Sequence, residues 1–197
     1  VFDHLTPLEE TFAALDQLVK SGKVRHIGCC NYQAWQLCKA LWTCERLAIT
    51  RPICSQNNYS LINRQIEREM LPLVEDQRLG LMAYSPLAVG LLSGNYQPGT
   101  PPPAGSLWDA RRPEFDTIMQ GPSADLLDAV RHTAHVRGVT MPQLAINWVL
   151  SQPHVSVAIT GADTITHLDD NLGAFGWSLN EQERAALDQH RVELTVW

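Results

Sequence analysis

Short apolar segments and helix-forming segments alternate along most of this 197-residue chain, and this alternation constrains the fold more than any other feature. Apolar residues at helical spacing predict helices, whereas short runs rich in β-branched residues predict strands. Strands are predicted at 24–29, 51–56, 81–85 and 155–159, and helices at 8–20, from 31 onward, and at 64–77, 124–137, 140–150, 167–174 and 181–189. Such alternation is typical of a parallel sheet covered by helices.

Several helix ends carry capping patterns. Thr6-Pro7-Leu8-Glu9 predicts a capping box with a proline at the first helical position, and Thr140-Met141-Pro142-Gln143 predicts a second box. Asn31 and Asn180 are candidate N-caps. Pro72 is expected to kink or split the third helix because proline cannot continue a helical hydrogen-bond ladder. The apolar face of the second helix is predicted to contain Trp35, Cys38, Leu41 and Trp42.

A long irregular stretch follows the third predicted strand. Seven of the twelve prolines fall between Pro86 and Pro122, and a loop of this length is usually functional or mobile. Four strands are fewer than the eight of a (β/α)8 barrel, which typically has about 250 residues. Four strands of a barrel would also leave two open sheet edges. Composition and spacing alone therefore leave half a barrel and a small open α/β sheet as alternatives.

Composition and charge exclude some classes of protein. Hydrophobic residues make up 45% of the chain and charged residues 18%, which indicates a soluble globular protein. The net charge of -6 argues against nucleic acid or an anionic membrane as a partner. The chain opens with Val1-Phe2-Asp3-His4 and shows neither an initiator methionine nor a signal peptide. We therefore expect a cytoplasmic protein whose sequence begins inside a longer chain.

Cysteine and histidine patterns predict no metal site. The five cysteines include no Cys-x-x-Cys pair, which favours small buried thiols in a reducing compartment. They are Cys29, Cys30, Cys38, Cys44 and Cys54. His132 and His135 lie three residues apart on a predicted helix, but no third ligand is evident, so a solvent-exposed face is favoured.

A series of motifs resembles the aldo-keto reductase family. The longest are Ser21-Gly22-Lys23-Val24-Arg25-His26-Ile27-Gly28, Gln56-Asn57-Asn58-Tyr59-Ser60-Leu61 and Tyr84-Ser85-Pro86-Leu87-Ala88-Val89-Gly90. Shorter matches lie at 6–11, 14–15, 64, 91–94, 143–145, 148–150, 161–162, 168 and 171–172. The order and spacing are those of the family over almost the whole chain. The branch that it resembles most includes aryl-alcohol dehydrogenases, glyceraldehyde-3-phosphate-type reductases and potassium-channel β subunits.

This resemblance implies an α/β fold of the (β/α)8 TIM-barrel type. Residues 1–197 would form the C-terminal part of one barrel domain and supply only its second half, about four β/α units. It also implies a nicotinamide cofactor across the C-terminal ends of the strands, with NADP expected and NAD as the alternative. The implied cofactor-binding residues are Cys30, Asn31, Gln56, Tyr84, Ser85, Pro86, Leu87, Ala88, Gly90, Gly161, Asp163, His167, Asp170 and Asn171.

Four of these residues would hold the nicotinamide. Asn31 and Gln56 resemble the amides that bond the carboxamide, since an amide both donates and accepts. Cys30 stands where the family usually has serine, and a thiol is the weaker donor. Tyr84 matches the aromatic side chain that stacks on the ring. The alternatives are a helix cap for Asn31, a solvated strand end for Gln56, a small buried side chain for Cys30 and a core tyrosine for Tyr84.

Ser85, Pro86, Leu87, Ala88 and Gly90 resemble the family's pyrophosphate loop. Backbone N–H groups and a hydroxyl can bind phosphate oxygens without a cation. Pro86 has no N–H, so it would contribute packing only. The alternative is an ordinary turn after a strand.

Gly161, Asp163, His167, Asp170 and Asn171 would lie at the adenosine end. Asp170 and Asn171 match the acid and the amide that contact the adenine. Asp163 and His167 replace the serine and the glutamine or arginine that the family often places near the 2′-phosphate, and a carboxylate repels that phosphate. The alternative is that Asp163 caps the following helix and faces solvent, while a protonated His167 meets the phosphate.

Two further positions reduce the expected selectivity for NADP. Asn95 and Leu107 stand where many members carry lysine and arginine, so few cations remain for the 2′-phosphate. We therefore expect weakened NADP selectivity.

The resemblance implies an oxidoreductase that reduces aldehydes or ketones to alcohols by hydride transfer. The family's catalytic Asp, Tyr, Lys and His are expected upstream of Val1, so we assign no catalytic residue and expect this chain alone to be inactive. His4 is expected to be a solvated loop residue. The loop at 89–122 and the C-terminal tail would shape the pocket for a small carbonyl or alcohol substrate.

Two alternatives remain open. One is a non-catalytic nicotinamide-nucleotide-binding module or regulatory subunit. The other concerns partners: either an N-terminal barrel half or a second copy of this chain would complete the barrel.

Overall fold

The computed structural model describes residues 1–192, so the C-terminal tail at 193–197 lies outside the described residues. The helices are α1 (Leu8–Lys20), α2 (Ala34–Leu47), α3 (Met70–Asp76), α4 (Leu107–Ala110), α5 (Arg112–Ile118), α6 (Pro122–Arg137), α7 (Met141–Leu150), α8 (Ile165–Leu172) and α9 (Glu181–Asp188). The strands are β1 (Gly28–Cys30), β2 (Cys54–Asn58), β3 (Gly80–Tyr84) and β4 (Val155–Ile159). Single 3-10 turns form at Gln65–Glu67 and Leu91–Ser93.

The chain divides into two compact units. The first unit comprises Val1–Asn58, Ile66–Tyr84 and Pro153–Val157. The second unit comprises Tyr59–Gln65, Ser85–Gln152 and the chain from Ala158 onward.

The first unit contains the sheet, whose strand order is β1-β2-β3-β4. β1 pairs in parallel with β2, and β2 in parallel with β3. Next to β4, the Leu81 N–H donates to the His154 carbonyl at 3.2 Å. The last two residues of β4 belong to the second unit. The predicted α/β fold with a parallel sheet is therefore confirmed.

The two faces of this sheet differ in burial. On the first face, which α1–α3 cover, Cys29 and Leu81 join Phe12, Leu37 and Val74 in one hydrophobic core. We call this the helix-covered face; its strand residues are Cys29, Ser55, Asn57, Leu81 and Ala83, all buried. The strand residues between them point the other way, and most are half-buried. We call this the half-exposed face; it carries Gly28, Cys30, Cys54, Gln56, Asn58, Gly80, Met82 and Tyr84.

The start of α1 differs from the prediction. The Thr6 hydroxyl donates to Asp3 Oδ2 at 2.6 Å instead of capping the helix, and Asp3 Oδ1 also accepts from the Leu5 N–H at 2.8 Å. Pro7 is extended and lies just before the first helical residue, Leu8. The predicted capping box is wrong because Pro7, not Thr6, occupies the N-cap position, so the Thr6 hydroxyl lies one residue too early to cap α1.

The buried face of α2 was predicted correctly for Leu41 and wrongly for the other three residues. Trp35 and Trp42 are 53% and 59% exposed, and Cys38 is exposed as well. The helix carries two overlapping apolar stripes at helical spacing, so periodicity alone cannot select the buried one. The buried stripe consists of Leu37, Ala40, Leu41 and Cys44.

Proline positions explain where helices begin in the segments at 64–77 and 86–122. The first is split, as predicted, into a 3-10 turn and α3, and Pro72 lies in the first turn of α3, where its missing N–H is not needed. The second was predicted to be irregular throughout, but it contains the short helices α4 and α5. Ser106 caps α4 by accepting from the Asp109 N–H at 3.2 Å, and Pro113 lies in the first turn of α5.

The second unit contains α4–α9 and a buried cation. The Arg64 guanidinium lies 4.8 Å from the Trp148 ring and 2.5 Å from Asp188 Oδ1.

The predicted capping box at Thr140 and the predicted N-cap Asn180 are both confirmed. Of the helices described, none combines the length and apolar character that crossing a bilayer requires.

Candidate functional site

In the first unit, candidate residues meet at the C-terminal ends of β1 and β2. Cys30 pairs in register with Gln56, and the Cys30 thiol donates to Gln56 Oε1 at 3.3 Å. The Asn31 N–H donates to the Gln56 carbonyl at 2.8 Å, which extends the ladder by one bond. Gln56 Nε2 makes no hydrogen bond within the described part of the chain and remains a donor for a ligand.

Asn31 does not cap α2. Gln33 is the N-cap residue, and its N–H donates a hydrogen bond to Gln36 Oε1 at 2.8 Å. Asn31 instead has a left-handed backbone with φ 54°, and its side chain is exposed. Asparagine tolerates this conformation better than most residues. The helix-cap alternative is therefore wrong, and the Asn31 amide is available for other contacts.

Tyr84 ends β3 on the same half-exposed face. It pairs in register with Asn58, two residues beyond Gln56 along β2. Because register partners point to the same side of a sheet, the half-buried Tyr84 ring and the Gln56 amide share that face.

The three strand cysteines divide between the two faces of the sheet, and Cys44 lies on α2. Burial raises the pKa of the Cys29 thiol to about 12 and that of Cys44 to about 11, so both remain protonated and inert. Burial also raises the pKa of Cys54. Cys30 is half-buried, and its thiol is hydrogen-bonded to Gln56.

In the second unit, the turn at 85–90 has an unusual backbone. Ser85, Ala88 and Val89 have φ of 58°, 49° and 52°, and Gly90 has φ 86°. A left-handed conformation is unfavourable for a β-branched residue such as Val89. Strained backbone of this kind concentrates at ligand-binding and active sites.

The N–H groups of this turn are only partly used. The Ala88 N–H donates to the Ser85 carbonyl at 2.9 Å, and the Val89 N–H donates to Ser85 Oγ at 3.3 Å. Within the described residues, the N–H groups of Leu87 and Gly90 donate no hydrogen bond. Two backbone donors and one hydroxyl are thus available to an anion. Pro86 is buried, in keeping with a packing role.

The residues assigned to the adenosine end gather on α8 and the segment before it. Gly161, Asp163 and His167 are exposed. Thr164, not Asp163, is the N-cap residue and accepts from the His167 N–H at 3.1 Å, so the prediction that Asp163 caps this helix is wrong. Asn171 is buried, and its Nδ2 donates to the Gly161 carbonyl at 3.4 Å.

Asp170 has partners that the sequence did not predict. Its Oδ1 accepts from Thr140 Oγ1 at 2.9 Å and from Gln143 Nε2 at 2.8 Å. Thr140 and Gln143 form the capping box of α7, so this carboxylate ties α8 to the start of α7. No hydrogen bond in the described chain joins the turn at 85–90 to α8.

Metal ligands do not gather anywhere in the described chain. No three His, Cys, Asp or Glu side chains lie close enough there to hold an ion. His132 and His135 are both exposed on α6.

Comparison with known families now places the chain. The model of the Aldo/keto reductase family matches residues 1–192. The chain belongs to the aldo-keto reductase family. At the level of the family, these proteins are NAD(P)-dependent oxidoreductases that act on small carbonyl compounds.

Curated relatives and a solved structure agree with this membership. A probable voltage-gated potassium channel subunit beta of Arabidopsis thaliana is 34% identical over 180 residues, which cover 87% of this chain and 53% of that protein. L-glyceraldehyde 3-phosphate reductase of Escherichia coli K12 is 30% identical over 99% of this chain and 58% of the reductase. The glycerol dehydrogenase structure from Gluconobacter oxydans aligns with a TM-score of 0.82 at 28% identity, covering 96% of this chain and 55% of the dehydrogenase. The chain thus spans about half the length of the relatives that it matches.

Proposed function

We propose that residues 1–197 form the C-terminal, nucleotide-binding part of an aldo-keto reductase. The whole protein would reduce small aldehydes or ketones to alcohols, and this chain would supply the second half of a (β/α)8 barrel. The observation that carries the proposal is the group formed by Cys30, Asn31 and Gln56 at the ends of β1 and β2, where amide groups remain free for a ligand.

The first unit would hold the nicotinamide end of the nucleotide. When bound, the nicotinamide supplies the hydride chemistry. Gln56 Nε2 and the Asn31 amide provide donors and an acceptor for a carboxamide. The Tyr84 ring provides a flat surface for stacking. Cys30 provides only a weak donor, and Gln56 Oε1 already accepts that hydrogen.

The second unit would contact the phosphates and the adenosine. The Ser85 hydroxyl and the free N–H groups of Leu87 and Gly90 suit a pyrophosphate, since backbone N–H groups bind phosphate oxygens well. Ala88 itself has a left-handed backbone and is buried, and Pro86 is buried as well, so both would contribute shape and packing and not a side-chain donor.

At the adenosine end, Gly161 and Asp170 hold Asn171 and α8 in place through their hydrogen bonds. Asn171 and Asp170 are the proposed adenine contacts.

Selectivity for NADP over NAD should be weak. Residues 138–183, which include the whole adenosine end, contain neither lysine nor arginine. Asp163 would repel a 2′-phosphate, and a protonated His167 would oppose that repulsion. Asp163→Ser should therefore strengthen NADPH binding more than NADH binding. An equal effect on both nucleotides would contradict this assignment.

The direct test of nucleotide binding is a fluorescence titration of the chain with NADH and with NADPH. Gln56→Leu should weaken binding of both nucleotides by about tenfold, because one buried hydrogen bond is lost. Gln182→Leu, which alters an exposed glutamine on α9, is the matched control and should change nothing. A chain that binds neither NADH nor NADPH would refute the proposal.

A non-catalytic subunit is the second candidate, favoured by the similarity to a plant protein described as a channel β subunit. The whole protein would then bind NADPH without turning over any carbonyl substrate.

Size-exclusion chromatography of this chain, alone and with a supplied N-terminal half, would show which polypeptide completes the barrel.

A further inference from the structure

Asn58, the last residue of β2, carries an unusual side chain. Its amide Nδ2 and Oδ1 are both closed to solvent, and neither makes a hydrogen bond with the described residues. Buried polar groups in folded proteins nearly always have partners, so an exception requires an explanation. Asn147 is a different case: its Oδ1 is unpaired, but its Nδ2 donates to the carbonyls of Ala174 and Trp177.

The position of Asn58 connects it with the proposed nicotinamide site. Asn58 is two residues beyond Gln56 on the same strand and lies in register with Tyr84 on β3. All three side chains therefore lie on the half-exposed face. At roughly 3.3 Å per residue, Asn58 lies about 7 Å beyond Gln56 towards the C-terminal edge of the sheet.

We propose that Asn58 binds the ribose hydroxyls next to the nicotinamide ring, an inference that rests on the proposed function. An amide offers both donor and acceptor atoms, and each ribose hydroxyl donates and accepts in return. Suppose that Gln56 holds the carboxamide on one side of the ring. A residue two positions further along β2 then faces the sugar on the other side. Asn58 thus adds a contact that the family motifs did not reveal.

Burial of the amide tip is compatible with this contact. Asn58 as a whole is half-buried, and its register on β2 places its side chain on the half-exposed face. The terminal torsion of asparagine is broad and easily turned. Because the amide has no partner to give up, turning towards a sugar hydroxyl breaks no hydrogen bond within the chain and satisfies both of its polar atoms.

The test is Asn58→Leu, which keeps a similar size and removes the polar atoms. Without nucleotide, urea unfolding should show unchanged or increased stability, because no hydrogen bond is lost. In fluorescence titrations, NADH should bind about fivefold to tenfold more weakly. Reduced nicotinamide mononucleotide should be weakened by the same factor, whereas binding of adenosine diphosphate should not change.

Three outcomes would overturn the inference. Asn58→Leu could destabilise the nucleotide-free chain and leave NADH affinity unchanged, which would make the amide purely structural. Gln56→Leu could weaken NADH binding while Asn58→Leu does not, which would refute this inference and leave the proposed function standing. A wild-type chain that binds no nucleotide would refute both.

Discussion

The two faces of the sheet in the first unit use alternate residues of the same strands for different purposes. On the helix-covered face, Leu81 and Ala83 are completely buried, and Leu81 belongs to the hydrophobic core. On the half-exposed face, Gln56 and Tyr84 are half-buried, and polar atoms remain without partners. The difference indicates that stability is concentrated on one face, while the other is available for binding.

Adjacent cysteines illustrate the same contrast. Cys29 lies in the core, where burial raises its thiol pKa to about 12. Cys30, the next residue, points to the other face and donates a hydrogen bond to Gln56. One residue along a strand therefore separates an inert core thiol from a candidate ligand contact.

The largest expected effect comes from truncating the helix-covered face. Leu81→Ala should lower the free energy of unfolding by about 2–5 kcal/mol, because it leaves a cavity in a fully packed region. Met82→Ala, the neighbouring residue on the half-exposed face, is the control and should cost clearly less. Urea unfolding measures both, and equal losses would remove the energetic distinction between the faces.

A smaller loss is expected where two strands approach closely. A Cβ added at Gly28 would lie 2.6 Å from Cys54 Sγ and 3.0 Å from the Cys54 carbonyl oxygen. Gly28→Ala should therefore destabilise the chain by about 1–3 kcal/mol. Adding Cys54→Ala should recover part of this loss. Gly161→Ala is the control, because no atom lies within 4 Å of its added Cβ.

Acid should weaken the contacts that the Asp16 carboxylate on α1 makes with Lys20 and Thr50. The Lys20 ammonium at 2.6 Å and the Thr50 N–H and hydroxyl lower the pKa of Asp16 to about 2. The pKa of an aspartate in the unfolded chain is about 3.9. This stabilisation is therefore complete above about pH 4 and is lost as the pH falls through about 2. Thermal unfolding should show a stability gap between wild type and Asp16→Asn that closes over this range. A constant gap would mean that the carboxylate charge is not responsible.

The smallest expected effect is an increase in affinity at the half-exposed face. Cys30→Ser should strengthen NADH binding by about twofold to fivefold, because a hydroxyl is a better donor than a thiol to Gln56 Oε1 and so fixes the Gln56 amide more firmly for the ligand. Cys29→Ser should instead lower stability, because it places a hydroxyl in the core. Titration and unfolding of both variants would separate the two faces, and identical behaviour would argue against the separation.

Local signals in the sequence predicted much of this fold. The alternation of segments predicted the parallel sheet. The caps at Thr140 and Asn180 and the break in the helix before Pro72 need only neighbouring residues. The exposure of Trp35 and Trp42 was not predictable, because α2 carries two apolar stripes and only tertiary packing selects one.

The candidate site was predictable only where motifs carried it. The hydrogen bonds of Asp170 join it to residues about thirty positions earlier in the chain, which no local pattern reveals. The missing partners of Asn58 likewise depend on what surrounds it in space.

Thiol alkylation tests most directly whether the half-exposed face binds a nicotinamide nucleotide. Exposed Cys38 and half-buried Cys30 should react with a small maleimide, whereas Cys29 and Cys44 should not. With saturating NADH, mass spectrometry should show a slower reaction at Cys30 and an unchanged reaction at Cys38. A Cys30 rate that NADH does not alter would contradict the proposed site.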